Sequence, residues 1–136
     1  LPLGASTMDV YGAVGNAISI DAEDIYVAGY RDWFGDSGQE GPTGGYTPQY
    51  WKNGTLHDLE EGMRTEYGTG AAYDIKVADG NVIVVGEVPR DTLDSYSIES
   101  ACIWVNGELN YLVQIDDVNQ DIGDWMKSTA KGLYIE

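Results

Sequence analysis

The sequence predicts an all-β protein built as a tandem repeat, and three observations carry that expectation. The segment Trp51-Lys52-Asn53-Gly54-Thr55-Leu56-His57-Asp58-Leu59 returns 53 residues later as Trp104-Val105-Asn106-Gly107-Glu108-Leu109-Asn110-Tyr111-Leu112, with five of nine positions identical. The apolar block Ile25-Tyr26-Val27-Ala28-Gly29 returns as Val82-Ile83-Val84-Val85-Gly86 at an offset of 57. Short apolar runs are separated by Gly, Asn and Asp clusters, and no stretch shows helical periodicity.

Each repeat reads as four strands. The first is short (17–20, and 73–77), and aligns Ile18-Ser19-Ile20 with Ile75-Lys76-Val77. Asp21-Ala22-Glu23-Asp24 and Ala78-Asp79-Gly80-Asn81 have tight-turn compositions. The second strand is strongly apolar (25–30, and 82–88), and the third ends in the tryptophan (48–52, and 100–105). Asn53-Gly54 and Asn106-Gly107 then predict hairpin turns, because both turn positions need positive φ. The fourth strands follow at 55–59 and 108–113. A third copy opens at the end of the chain, where Leu133-Tyr134-Ile135 aligns with Ile18-Ser19-Ile20, and Tyr11-Gly12 echoes Tyr67-Gly68. The repeats therefore run about 11–66 and 67–124, with the start of a third at 128–136.

Val82-Ile83-Val84-Val85 and Ala101-Cys102-Ile103-Trp104-Val105 do not alternate apolar with polar, so both faces of these strands are expected to be covered. With no helices available, the cover must be other sheets. Four-stranded antiparallel sheets stacked face to face are propeller-type blades. The predicted fold is thus all-β, with two tandem four-stranded antiparallel blades and the first strand of a third. Trp51, Asn53, Gly54, Trp104, Asn106 and Gly107 are its structural repeat anchors.

The strand ending Tyr26-Val27-Ala28-Gly29, a variable insertion, then Tyr50-Trp51-Lys52-Asn53-Gly54 and an apolar strand resembles the WxNG-type repeats of propeller-like bacterial surface and secreted proteins. The resemblance covers about residues 8–113 and the tail from 128. It implies a propeller-like fold and no defined chemistry. Two blades do not close a propeller of about four to eight. Three arrangements stay open: a piece of a longer array, several chains pooling their blades, or a two-sheet sandwich.

Composition narrows the function. The chain has 136 residues, 23 Asp+Glu against 7 Lys+Arg, and a net charge of -16. That balance argues against nucleic-acid binding and against docking on anionic lipid. A hydrophobic share of 43% argues against a disordered acidic tail. One cysteine excludes an intrachain disulfide and a thiolate zinc cluster. No apolar run approaches the roughly 20 residues of a membrane span. Leu1-Pro2-Leu3-Gly4-Ala5-Ser6-Thr7 lacks the basic and long apolar regions of a signal peptide. Eighteen Gly and ten Tyr with a single Cys fit an extracellular, cell-surface or periplasmic β-protein.

Candidate ligand-binding residues lie in the insertions between the second and third strands, 31–47 and 89–99. Trp33, Tyr46 and Tyr96 are positioned to stack on sugar rings, with Asp36 and Asp94 accepting hydroxyl hydrogen bonds. The bland alternative is that Trp33 and Phe34 fold back on their own loop. Asp117, Asn119 and Asp121 have the 1, 3, 5 spacing of a calcium loop, but Ile122 stands where glycine is required and Ser128 where a glutamate is, so this is no EF-hand. A solvated acidic loop is the ordinary alternative. His57 and Cys102 sit inside strands without a nucleophilic constellation, and no P-loop or dinucleotide fingerprint is present. The expectation is a non-enzymatic binding or scaffold module without an obligatory cofactor, taking a glycan or protein ligand. The alternatives are a structural or protein-interaction module, whose working part is the exposed strand at 130–136, and a glycan-active hydrolase fragment.

Overall fold

The structure is a computed structural model that describes residues 9–36, 42–60, 70–91, 97–112 and 130–135. Eight strands form two four-stranded antiparallel sheets, each in simple sequential order. The first sheet contains β1 (Asp9–Asp21), β2 (Asp24–Asp36), β3 (Pro42–Lys52) and β4 (Thr55–Asp58). The second contains β5 (Ala71–Ala78), β6 (Asn81–Asp91), β7 (Ser97–Val105) and β8 (Glu108–Tyr111). Among the described residues there is no helix, and so none long and apolar enough to cross a membrane.

The strands outrun the sequence expectation in the β2–β3 and β6–β7 hairpins. Residues 31–36 and 42–47 were expected as loop and instead continue the ladder, with Trp33 opposite Gly45 and Asp36 opposite Pro42. Residues 89–91 and 97–99 do the same in the second sheet, with Pro89 opposite Glu99. Glycine-rich segments read as loop, yet a two-stranded ladder needs only paired backbone groups. The longer first hairpin explains why the repeat offset falls from 57 to 53. β2 and β3 have 13 and 11 residues against 11 and 9 in β6 and β7. The four extra residues are thus two in each strand, and the connecting segments keep equal length. Residues 130–135, expected as a strand, form no regular strand.

Both sheets repeat the same cross-strand rung. Ile18, Val27, Trp51 and Leu56 stand side by side across the first sheet. Ile75, Val84, Trp104 and Leu109 do so across the second. Because side chains alternate along a strand, each rung marks one face, here named the front. The back face carries Tyr26, Ala28 and Tyr50 in the first sheet and Ile83, Val85 and Ile103 in the second. The buried cluster joins Tyr26, Ala28 and Tyr50 to Ile75, Val84, Cys102 and Trp104. β5 packs against β1, β2 and β3. The second sheet therefore lays its front on the back of the first, and the two stack with the same polarity.

A hydrogen bond fixes that stacking. The Asn16 side chain donates to the Ala72 carbonyl at 2.8 Å. Asn16 is the residue skipped by the register shift in β1, and Tyr73 is skipped at the equivalent place in β5. These bulges also explain a repeated glycine. A Cβ at Gly29 would run into the Val14 carbonyl oxygen, and one at Gly86 into that of Ala71. The glycine of each apolar block is required because a bulged neighbouring strand brings its backbone down onto it.

Candidate functional site

The turns between β3 and β4 and between β7 and β8 behave as the Asn-Gly pairs predict. Asn53 and Gly54 have φ of 50° and 81°, and Asn106 and Gly107 have 51° and 89°. The asparagine also has a second role, which sequence reading missed. The Ile25 amide donates to Asn53 Oδ1 at 2.9 Å, and the Asn53 backbone amide donates to the Ile25 carbonyl at 2.8 Å. Asn53 Nδ2 donates to Asp24 Oδ1 at 2.7 Å. In the second sheet Val82 donates to Asn106 Oδ1 at 2.9 Å, and Asn106 Nδ2 donates to Asn81 Oδ1 at 2.9 Å. Each asparagine clamps its own hairpin turn to the preceding one and prolongs the ladder past its last paired strand residue. The recurrence of a polar residue (Asp24, Asn81) just before each apolar block was the available signal.

The tryptophans differ in their partners. The Trp104 indole N–H donates to the Glu60 carbonyl at 2.8 Å, across the junction between the repeats. Glu60 Oε2 accepts from the Leu109 amide at 2.8 Å, and the Glu60 amide donates to the Gly107 carbonyl at 2.9 Å. Glu60 thus stitches the end of the first repeat to the last hairpin of the second. Trp104 belongs to the buried cluster between the sheets. Trp51 is buried on the opposite side of the first sheet, on the front face.

Of the expected ligand residues, Tyr46 is the one whose side chain is described. It is 45% exposed on β3 and packs against Tyr30 with ring centroids 4.8 Å apart. Asp32, its register partner on β2, has a buried Oδ1 with no partner among the described residues. Trp33 and Asp36 lie on β2 in the same hairpin, but their side chains are outside the described set. Asp94 and Tyr96 lie outside the described residues, as do the calcium candidates Asp117, Asn119 and Asp121. Among the described residues no group of three or more His, Cys, Asp or Glu is placed to hold a metal ion.

The Cys102 thiol is buried inside β7. Burial, with the charge of Glu87 adding to it, pushes the Cys102 thiol well above its ordinary range, so the neutral thiol persists. His57 stacks flat on Tyr50 at 4.8 Å and 10°. The Tyr73 hydroxyl donates to Glu87 Oε1 at 2.9 Å. Burial first, then that hydrogen bond, pushes Tyr73 up to about 12. Lys52 pairs with Asp24 at 2.8 Å, and this pairing is the main cause that lifts Lys52 to about 12 and lowers Asp24.

The segment 130–135 runs over the back of the second sheet. The Leu133 amide donates to Asp74 Oδ2 at 2.8 Å, and the Ala130 amide to the Gly86 carbonyl at 3.3 Å. Lys131 Nζ sits 5.5 Å from the centre of the Tyr73 ring. Comparison with known proteins finds no matching family model, no matching curated protein and no matching solved structure.

Proposed function

We propose that this chain is a non-enzymatic binding scaffold of propeller-type blades, of the WxNG-repeat kind, working outside the cell or at its surface. The observation that carries the reading is the front-onto-back stacking of two equivalent sheets, with segment 130–135 laid on the back of the second. Stacking of one polarity can be continued by further blades, and a rigid stack presents its long hairpins as a binding surface. The patch best suited to a ligand is the exposed Tyr46 ring beside Tyr30, next to the Asp32 carboxylate, whose buried Oδ1 has no partner among the described residues. An aromatic face with an adjacent carboxylate suits a sugar ring and its hydroxyls. The quiet state of Cys102 supports a non-catalytic role.

The test is a screen of the chain against an immobilised glycan panel, run in parallel with turnover assays on polysaccharides. Binding without bond cleavage, weakened at least tenfold by Tyr46→Ala, is the expected result. Polysaccharide cleavage that a single Asp→Asn or Glu→Gln change abolishes would overturn the reading in favour of a hydrolase. A silent panel would favour the structural or protein-interaction alternative. In that case removing residues 128–136 should abolish partner capture, since Leu133, Ala130 and Lys131 all engage the second sheet.

A further inference from the structure

β2 carries two carboxylate–tyrosine pairs on its back face, one near each end. Asp24 and Tyr26 lie at one end, Tyr30 and Asp32 at the other, and alternation along the strand puts all four on the same side. β3 completes each pair with a residue opposite it in register: Lys52 opposite Tyr26, and Tyr46 opposite Asp32. The two ends differ in one group. At the first, an ammonium is built in, with Lys52 Nζ 2.8 Å from Asp24 Oδ2 and 5.3 Å from the centre of the Tyr26 ring. At the second, β3 supplies a further aromatic ring in place of the cation. The Tyr46 ring lies 4.8 Å from that of Tyr30, tilted by 58°.

The second end carries a negative charge without a counter-ion among the described residues, where Lys52–Asp24 is the one ion pair. Arg31 precedes Asp32 in the chain, and alternation sends it to the opposite face. Asp32 Oδ1 is buried with no partner among the described residues, and a carboxylate partly withdrawn from water is stabilised by a nearby positive charge. The electron-rich faces of the two tyrosines attract the same kind of group. Tyrosine–ammonium packing also recurs in the chain, with Lys131 Nζ 5.5 Å from the centre of the Tyr73 ring. Tyr46 is 45% exposed, so a ligand can reach this end from solvent.

We propose that the Tyr30–Tyr46–Asp32 patch takes the protonated amine of an amino sugar, so that the ligand supplies the ammonium that Lys52 supplies at the other end. The proposal rests on the glycan-binding reading of this patch and names the class of sugar. The sugar ring lies on Tyr46, and its amine sits beside Asp32. A net charge of -16 draws a cationic ligand in and holds acidic sugars off.

Isothermal titration calorimetry with two β-1,4-linked tetramers tests this, one of glucosamine and one of N-acetylglucosamine. The buffer is mildly acidic, so that the amine is protonated and Asp32 ionised. The free-amine tetramer should bind about tenfold more tightly than the acetylated one. Tyr46→Leu and Asp32→Asn should each remove that preference. Asp24→Asn changes the net charge equally and should leave it within about twofold. Equal losses from Asp24→Asn and Asp32→Asn would overturn the proposal, because the attraction would then be to overall charge. A tetralysine peptide that binds as tightly as the amino sugar would overturn the assignment to a sugar. An acetylated tetramer that binds at least as tightly would overturn the ammonium and leave the glycan reading standing. Silence toward both tetramers would overturn the proposal, and the wider glycan panel then decides the reading separately. If Asp32→Asn loses its β-sheet circular dichroism, the exposed Tyr46→Leu change carries the test.

Discussion

The two repeats have the same strand order, rungs and turns, yet equivalent residues live in different surroundings. Ile75 is fully buried and Ile18 is mostly exposed, because the front of the second sheet at this rung lies against the back of the first, whereas the front of the first sheet is open at Ile18 although Trp51 in the same row is buried. The opposite holds at the other end of the stack. Leu59 is 3% exposed in the sheet junction, whereas its equivalent Leu112 is 52% exposed. A repeat motif therefore encodes an interface with two sides, and position in the stack decides which side is filled. The energetic weight of a motif residue is set by its neighbour and not by the motif.

That contrast can be broken most sharply at the rung. Ile75→Ala should lower unfolding stability by about 2–5 kcal/mol, whereas Ile18→Ala should stay within about 0.5 kcal/mol. Denaturant unfolding of the monomer measures both, and equal losses would mean that the first front is covered in solution. Trp104→Ala should cost about 3–5 kcal/mol, since it opens a cavity between the sheets and also leaves the Glu60 carbonyl without its donor.

The bulge glycines should not distinguish the repeats. Gly29→Ala and Gly86→Ala each force a Cβ onto a carbonyl oxygen, and each should cost about 3 kcal/mol by the same assay. A near-neutral result at either position would show that its bulge can relax.

The asparagine clamps should differ modestly. Asn53→Asp sets a carboxylate against Asp24, whereas Asn106→Asp faces Asn81, whose amide can turn to donate. A loss near 1 kcal/mol is expected for the first and about half that for the second. Reversing Asp24 to Asn should remove the difference, which thermal unfolding can read.

The smallest effect is in pH. Asp24 is held below its ordinary value of 3.8, chiefly by Lys52 and then by Asn53. A depressed carboxylate contributes stability that is present above its unfolded value and is lost as pH falls through the folded one. The Asp24 contribution should thus fade below about pH 4, and it is small because the pair is exposed. Lys52→Met should flatten that acid limb, whereas Lys76→Met, at the first strand of the second repeat, should leave it unchanged.

Much of this architecture could be read from the chain. Trp51 and Trp104, the two Asn-Gly turns and the paired apolar blocks placed eight strands in order, because turn chemistry and alternation act over a few residues. The long hairpins were hidden, since glycine between residues 35 and 45 signals loop whether or not the backbone pairs. Glu60 was hidden too. Nothing local marks a glutamate that accepts from Leu109, 49 residues away. The binding patch was half visible: Tyr46 stood out as an aromatic in an insertion, but its partners Tyr30 and Asp32 follow from the β2–β3 register.

The sequence by itself determined the repeat, the strand order and the turns, because these depend on local φ preferences and on the two-residue period of side chains. Only the tertiary structure decided that Ile75 is core and its equivalent Ile18 is surface. Burial is a property of the neighbour, and Ile18 and Ile75, alike in sequence, acquire different physics from what lies against them.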